Sequence, residues 1–178
     1  MNTRPIADLN ALPPGDFAAA LAPVWENADW VAEKVSRDRP FMSAAALHDA
    51  MLALVKALPE DELLAFLNRH PDLGGADVRA GRVTAESDAE QGSIHLNALT
   101  VAQIAEWDEL NAAYKARFGF PFILCVRRHD QASALAAIRT RMNGTRDGEL
   151  DAALQEITWI TRYRLAARVA DHGFAGLW

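Results

Sequence analysis

The chain has 178 residues, 51% of them hydrophobic and 24% charged, which excludes an intrinsically disordered segment and suits one core, since chains begin to split into domains at about 250 residues. A net charge of −6 is a poor electrostatic footprint for nucleic acid or an anionic membrane surface, so neither is expected as a partner. The single cysteine, Cys125, excludes an internal disulfide and a cysteine-rich zinc site; with no apolar signal core and no run of roughly 18 apolar residues, the expectation is a cytoplasmic chain.

In chain order the pattern is helical. Phe17, Leu21 and Val24 recur at i, i+4 and i+7 and predict a first amphipathic helix. Leu47, Met51, Leu54, Val55 and Leu58 predict a second, with Ser43 placed to cap it. Pro59 opens a third, because proline suits a first helical turn, and Glu60, Asp61 and Glu62 put negative charge where the helix dipole favours it. Its apolar face is Leu63, Phe66 and Leu67, and Pro71 ends it. Thr100 and Gln103 have capping-box spacing ahead of a stripe of Ile104, Trp107, Leu110, Tyr114 and Phe118 that stops at Gly119. The apolar run from Phe118 to Val126 has no decisive period, and Pro121 argues against a central strand, so it reads as loop running into helix. Asp130 caps a helix carrying Leu135, Ile138 and Met142, and a last long helix carries Leu150, Leu154, Ile157, Thr161 and Leu165. No segment alternates like a half-buried strand, and the turn-rich stretches from Pro71 to Ala85 and from Arg141 to Gly148 read as loops. The expected architecture is all-α, a single-domain bundle of several amphipathic helices over residues 1–178.

Three places could carry chemistry. In His70-Pro71-Asp72-Leu73-Gly74-Gly75, His70 lies at i+7 from Leu63 and i+4 from Phe66, on the apolar face at a helix end, where small changes can bring an imidazole pKa near neutrality for acid-base work. A histidine so placed is more often a hydrogen-bonded core residue, and two adjacent glycines are more often a turn than a ligand cradle. In Ser87-Asp88-Ala89-Glu90-Gln91, Ser87 and Glu90 have capping-box spacing; the same segment could instead offer a carboxylate, an amide and helix N-terminal N–H groups to a polar planar substrate. In Phe118-Gly119-Phe120-Pro121-Phe122-Ile123, a stiff apolar element could wall a pocket, or simply be core. His48, His95, His129 and His172 lack metal-ligand spacing, and no GxGxxG, P-loop or nucleophile-elbow pattern occurs, so neither metal nor nucleotide cofactor is expected.

Taken in order, His70-Pro71-Asp72-Leu73-Gly74-Gly75, then Ser87-x-x-Glu90-Gln91, then Leu110-Asn111-x-x-Tyr114-x-x-x-Phe118-Gly119-Phe120-Pro121-Phe122-Ile123 resembles the 2-oxo-4-hydroxy-4-carboxy-5-ureidoimidazoline (OHCU) decarboxylases of urate breakdown. The resemblance extends to Phe17 through Val31, with Glu26 and Trp30-Val31-Ala32, and to Ala152 through Leu165. Ala28-Asp29 and Ile94-His95 depart from it, standing where the family has Ser-Pro and Ala-Gly. The resemblance implies an all-α, cofactor-independent decarboxylase, a homodimer acting on a small molecule and yielding (S)-allantoin. It further implies His70 as catalytic proton donor assisted by Glu90, and substrate contacts from Pro71, from Ser87, Asp88, Ala89, Glu90 and Gln91, and from Phe122, Ile123, Leu124, Cys125 and Val126. The chemistry is consistent: the imidazoline ring can itself accept the electrons left by CO₂, so the protein need only orient, desolvate and deliver one proton. Two alternatives stay open, a related decarboxylase for another ureido acid, motivated by Ile94-His95, and an inactive helical interaction module.

Overall fold

The structure is a computed structural model that describes residues 3–171; His172 and the C-terminal residues after it lie outside the described residues. Ten α-helices occur among the described residues: α1 (Ile6–Asn10), α2 (Pro14–Leu21), α3 (Trp30–Val35), α4 (Ala44–Lys56), α5 (Glu60–Leu67), α6 (Ala76–Arg79), α7 (Ala85–Gly92), α8 (Val101–Phe118), α9 (Gln131–Arg141) and α10 (Arg146–Ala166). The protein is thus mostly all-α. The one departure from that expectation is a two-residue parallel pair, β1 (Arg4–Pro5) with β2 (Val169–Ala170), too short to leave any alternation in the sequence.

Local chemistry accounts for the boundaries. Ser43 accepts the Ala46 N–H at 3.0 Å to start α4, and Pro14 occupies the first turn of α2. Thr100 and Gln103 form the expected capping box on α8, and Asp130 and Ser133 form another on α9. Helix α8 stops at Gly119, whose φ of +87° is open to glycine at little cost. The stretch from Pro71 to Ala85, read as loop, contains α6, while residues 119–125 are irregular and lead into a 3₁₀ turn at Val126–Arg128, as expected.

The described residues form two compact units, residues 3–63 with 158–171 and residues 64–157. In the first, α2 packs on α3 and α3 on α4, burying Phe17, Leu21, Val31, Leu47, Met51 and Val55. Two buried polar pairs lie in it: Arg164 with Glu26 at 2.9 Å, and His48 Nε2 with the Thr161 hydroxyl at 2.9 Å. Desolvation, the largest influence on His48, lowers its pKa to about 4; Arg162 and Lys56 push the same way against Asp49.

The second unit is organised on Tyr114. Its ring lies 4.6 Å from Phe118, 6.0 Å from Phe120 and 5.3 Å from Phe122, and its hydroxyl donates to Glu149. Burial, then the Glu149 hydrogen bond, raises the Tyr114 pKa, so the phenol stays protonated. Glu149, Ala153 and Ile157 form the buried line of α10 here; of the expected stripe Ile157, Thr161 and Leu165 are buried, whereas Leu150 and Leu154 are half-buried. The phase differs because Glu149 turns inward to meet Arg141 at 2.8 Å.

Candidate active site

All of the residues singled out for chemistry belong to the second unit. Helix α5 ends at Leu67, and His70 follows with its N–H on Leu67 O at 3.1 Å and its Nδ1 at 3.2 Å from the same oxygen. A carbonyl only accepts, so that contact requires a proton on Nδ1 and leaves Nε2 as the nitrogen whose protonation can change. Phe66 meets the imidazole edge-on, centroids 5.3 Å apart. His70 and Pro71 are half-buried, so His70 sits at the margin of the core and not within it.

The turn after His70 is held on both sides. Asn111 Nδ2 donates to Leu73 O at 2.8 Å, and Gly74 N–H donates to Gln91 Oε1 at 2.9 Å. Arg79 donates to Gly74 O at 2.6 Å while it forks onto Asp108, both bonds at 3.0 Å. Gly74 has φ +61°, and a Cβ there would lie 3.3 Å from Leu99 Cδ1; a Cβ on Gly75 would lie 2.8 Å from Asp72 Cβ. These glycines permit tight internal packing.

Helix α7 corrects one sequence reading. Ser87 is not its cap: Thr84, in extended backbone, accepts the Ser87 N–H at 3.3 Å, and Ser87 is already inside the first turn. The Ser87 to Glu90 spacing is therefore a helical face, on which Ser87, Glu90 and Gln91 are buried while Asp88 and Ala89 are exposed on the other side. Helix N-terminal N–H groups are accordingly not what residues 87–91 offer. Glu90 Oε1 lies 3.6 Å from Arg127 Nε, the carboxylate side chain 8% exposed and the arginine 42%. Thus adjacent residues of α7 reach two segments, Gln91 the turn that follows His70 and Glu90 the 3₁₀ turn after Val126.

The segment from Phe120 to Val126 is buried throughout, in the expected wall. It is tied at three points: Asn68 to Gly119 O at 2.9 Å, Arg141 Nη1 to Ile123 O at 2.8 Å, and Cys125 N–H to Glu156 Oε2 at 2.8 Å. Among the described residues, the N–H groups of Phe122, Ile123 and Leu124 donate to no protein acceptor. Burial, reinforced by Glu156 and Glu90, pushes the Cys125 thiol up to about 12, so it lines the wall as a neutral group and not as a nucleophile.

Arg127, Arg141, Glu149 and Glu156 carried no signal in the sequence, since Glu90, Ile123 O, Tyr114 and the Cys125 N–H, which they respectively meet, lie 18 or more residues away; Asn111 and Tyr114 stood in the third motif without assigned roles. At the departure Ile94-His95, Ile94 is buried and His95 is exposed with φ +62°, so a non-glycine residue occupies a left-handed position. Elsewhere, a groove of about 1090 Å³ in the first unit, floored by Ala18, Ala19 and Ala22, contains none of the residues singled out above. Among the described residues no three potential metal-ligating side chains gather, and no helix is long and apolar enough to cross a membrane.

Comparisons with known proteins identify the family. A family model described as OHCU decarboxylase matches residues 10–166. The 2-oxo-4-hydroxy-4-carboxy-5-ureidoimidazoline decarboxylase of Haloferax volcanii is 33% identical over 171 residues, covering 96% of this chain and 99% of that protein. The protein of the same name from Mus musculus is 33% identical over 164 residues, 92% of each chain. A crystal structure of an (S)-allantoin synthase superposes with a TM-score of 0.75 at 29% identity, covering 94% of this chain and 54% of that longer one.

Proposed function

Since the chain belongs to the OHCU decarboxylase family, we propose that it converts 2-oxo-4-hydroxy-4-carboxy-5-ureidoimidazoline to (S)-allantoin in urate breakdown, as a carboxy-lyase needing no cofactor. The observation that carries the reading is the reach of α7, whose neighbours Glu90 and Gln91 join the segment of residues 122–128 and the turn after His70 respectively. In this reading C–CO₂ cleavage leaves an electron pair that the ring delocalises, and His70 Nε2 delivers the proton that quenches it at carbon. The Nδ1–H contact with Leu67 O fixes the ring orientation; Nε2 donates from the imidazolium form, with both nitrogens protonated, and the transfer leaves the neutral ring with its proton on Nδ1. Glu90, a buried carboxylate 3.6 Å from Arg127, offers a hydrogen-bond acceptor, and Pro71, Ser87, Gln91 and residues 122–126 frame the substrate. The unpartnered N–H groups of Phe122, Ile123 and Leu124 suit a polar, oxygen-rich ligand. The span of the family match supports one activity for the whole chain, working as a cytoplasmic homodimer.

The test is turnover of substrate made in place from urate by oxidation and hydrolysis, because the compound is unstable. Polarimetric appearance of one allantoin enantiomer, well above the spontaneous rate, is expected. No acceleration with a folded chain overturns the reading in favour of an inactive helical module, and turnover confined to another ureido acid overturns the substrate.

A further inference from the structure

We infer that Asn111 is a positioning residue: acting through the Leu73-Gly74 peptide, it fixes which end of the Gln91 amide helix α7 presents to the substrate. The inference rests on the function proposed above. The Leu73 C=O and the Gly74 N–H belong to one peptide, and in a trans peptide they point in opposite directions; the only cis bond among the described residues is Arg39-Pro40. Both edges of this peptide are held by side chains. From α8, Asn111 Nδ2 donates to Leu73 O at 2.8 Å, and on α7 Gln91 Oε1 accepts the Gly74 N–H at 2.9 Å. Asn111 and Gln91 therefore face each other across one rigid plane, and releasing the first bond frees the donor on which the second depends.

The polarity of each link is fixed. A carbonyl only accepts, so Leu73 O takes the NH₂ end of Asn111; a backbone N–H only donates, so Gly74 takes the C=O end of Gln91. The NH₂ of Gln91 is thereby turned away from the turn, and α7 offers a donor from the residue next to the Glu90 carboxylate. The two ends of a primary amide have nearly the same shape, so without the Gly74 N–H either could face the substrate. Asn111, Leu73 and Gln91 are 3%, 5% and 4% exposed, which keeps water from competing for either bond. Asn111 Oδ1 is buried and unpaired among the described residues, a cost to the fold, so what the amide supplies is the donor at its other end. The next peptide plane is held as well, by Arg79 on Gly74 O at 2.6 Å.

The experiment is a double-mutant cycle in kcat/KM on the full chain, with substrate made in place from urate, and ¹⁵N-glycine spectra of the same proteins. Asn111→Leu keeps most of the side-chain volume without the donor, and is expected to lower kcat/KM about tenfold. Gln91→Leu is expected to lose at least as much, and the double variant to stay within about twofold of Gln91→Leu, because Asn111 acts through Gln91. The pH dependence of kcat/KM is expected to keep its shape in Asn111→Leu, since neither amide titrates. In the same variant the Gly74 amide is expected to move and to exchange faster with solvent, while Gly119, whose N–H donates to Lys115 O at 2.9 Å, stays as in the wild type. Losses that add in the double variant, a displaced pH profile, an unmoved Gly74 amide, or wild-type kinetics in a folded Asn111→Leu each overturn the inference. Should Asn111→Leu not fold, Asn111→Ser, too short to reach Leu73 O, takes its place in the cycle. A wild-type chain that turns over no substrate overturns the proposed function, an outcome that the Gly74 amide tells apart from failure of the tie between Asn111 and Gln91.

Discussion

Glu90→Gln separates the electrostatic role of Glu90 from its place in the fold. Because Thr84 and not Ser87 caps α7, the Glu90 side chain closes no capping box, and changing it removes no cap. What it removes is a charge 3.6 Å from Arg127 Nε. At about that separation two unit charges interact by about 1 kcal/mol in water and about 4 kcal/mol at an effective dielectric of 20. With Arg127 42% exposed the screened end applies, about 1 kcal/mol or less. The neutral amide also sheds the desolvation cost of a buried carboxylate, which offsets part of that loss. Glu90→Gln should therefore melt within about 4 °C of wild type. Activity should fall further, by at least about tenfold in kcat/KM, or about 1.4 kcal/mol, because a neutral acceptor makes hydrogen bonds roughly half as strong as a carboxylate does. Thermal unfolding and steady-state decarboxylation of the same preparation make the comparison, with Arg127→Gln as a control that keeps the carboxylate. Wild-type kinetics in a folded Glu90→Gln would refute a role for the charge in turnover.

His70→Asn should fold normally and lose about 10² to 10⁴ in turnover, the range for a positioned acid or base, measured in the same assay. His95→Gly relieves a left-handed residue whose side chain is exposed, and should raise stability by up to about 1 kcal/mol in denaturant unfolding with turnover unchanged. His48, buried and depressed to about 4 from 6.5, should make the fold less stable on acidification. Its stabilising contribution is complete above pH 6.5 and is lost as pH falls from there to about 4, a loss of about 3 kcal/mol at 1.36 kcal/mol per pH unit; urea unfolding across that range should be flatter in His48→Gln.

What was legible in the sequence was local. The Ser43, Thr100 and Asp130 caps and the Gly119 stop each depend on residues within one turn, and each lies where the pattern placed it. The misreading at Ser87 is instructive, since Thr84-x-x-Ser87 and Ser87-x-x-Glu90 both satisfy a capping rule and only burial of Ser87, Glu90 and Gln91 on one face selects the first. Helices α1, α3 and α6 are too short to develop a period. Arg141 and Glu156 could not be picked out at all, because each serves a backbone atom 18 or 31 residues away and neither bond leaves a spacing signature.

Helix α7 has its own consequence for how the length of this chain can vary. Glu90 and Gln91 are neighbours that reach different segments, so one residue inserted or removed between Thr84 and Glu90 rotates both by about 100° and moves them about 1.5 Å along the axis. Both ties are then lost in a single event, and no compensating side chain can restore them separately. The turn before α7 is different: Gly81 is exposed, and a Cβ there would meet nothing within 4 Å. Insertions and deletions are thus confined by geometry to the approach, and the eight residues of the helix itself form an indivisible unit of length.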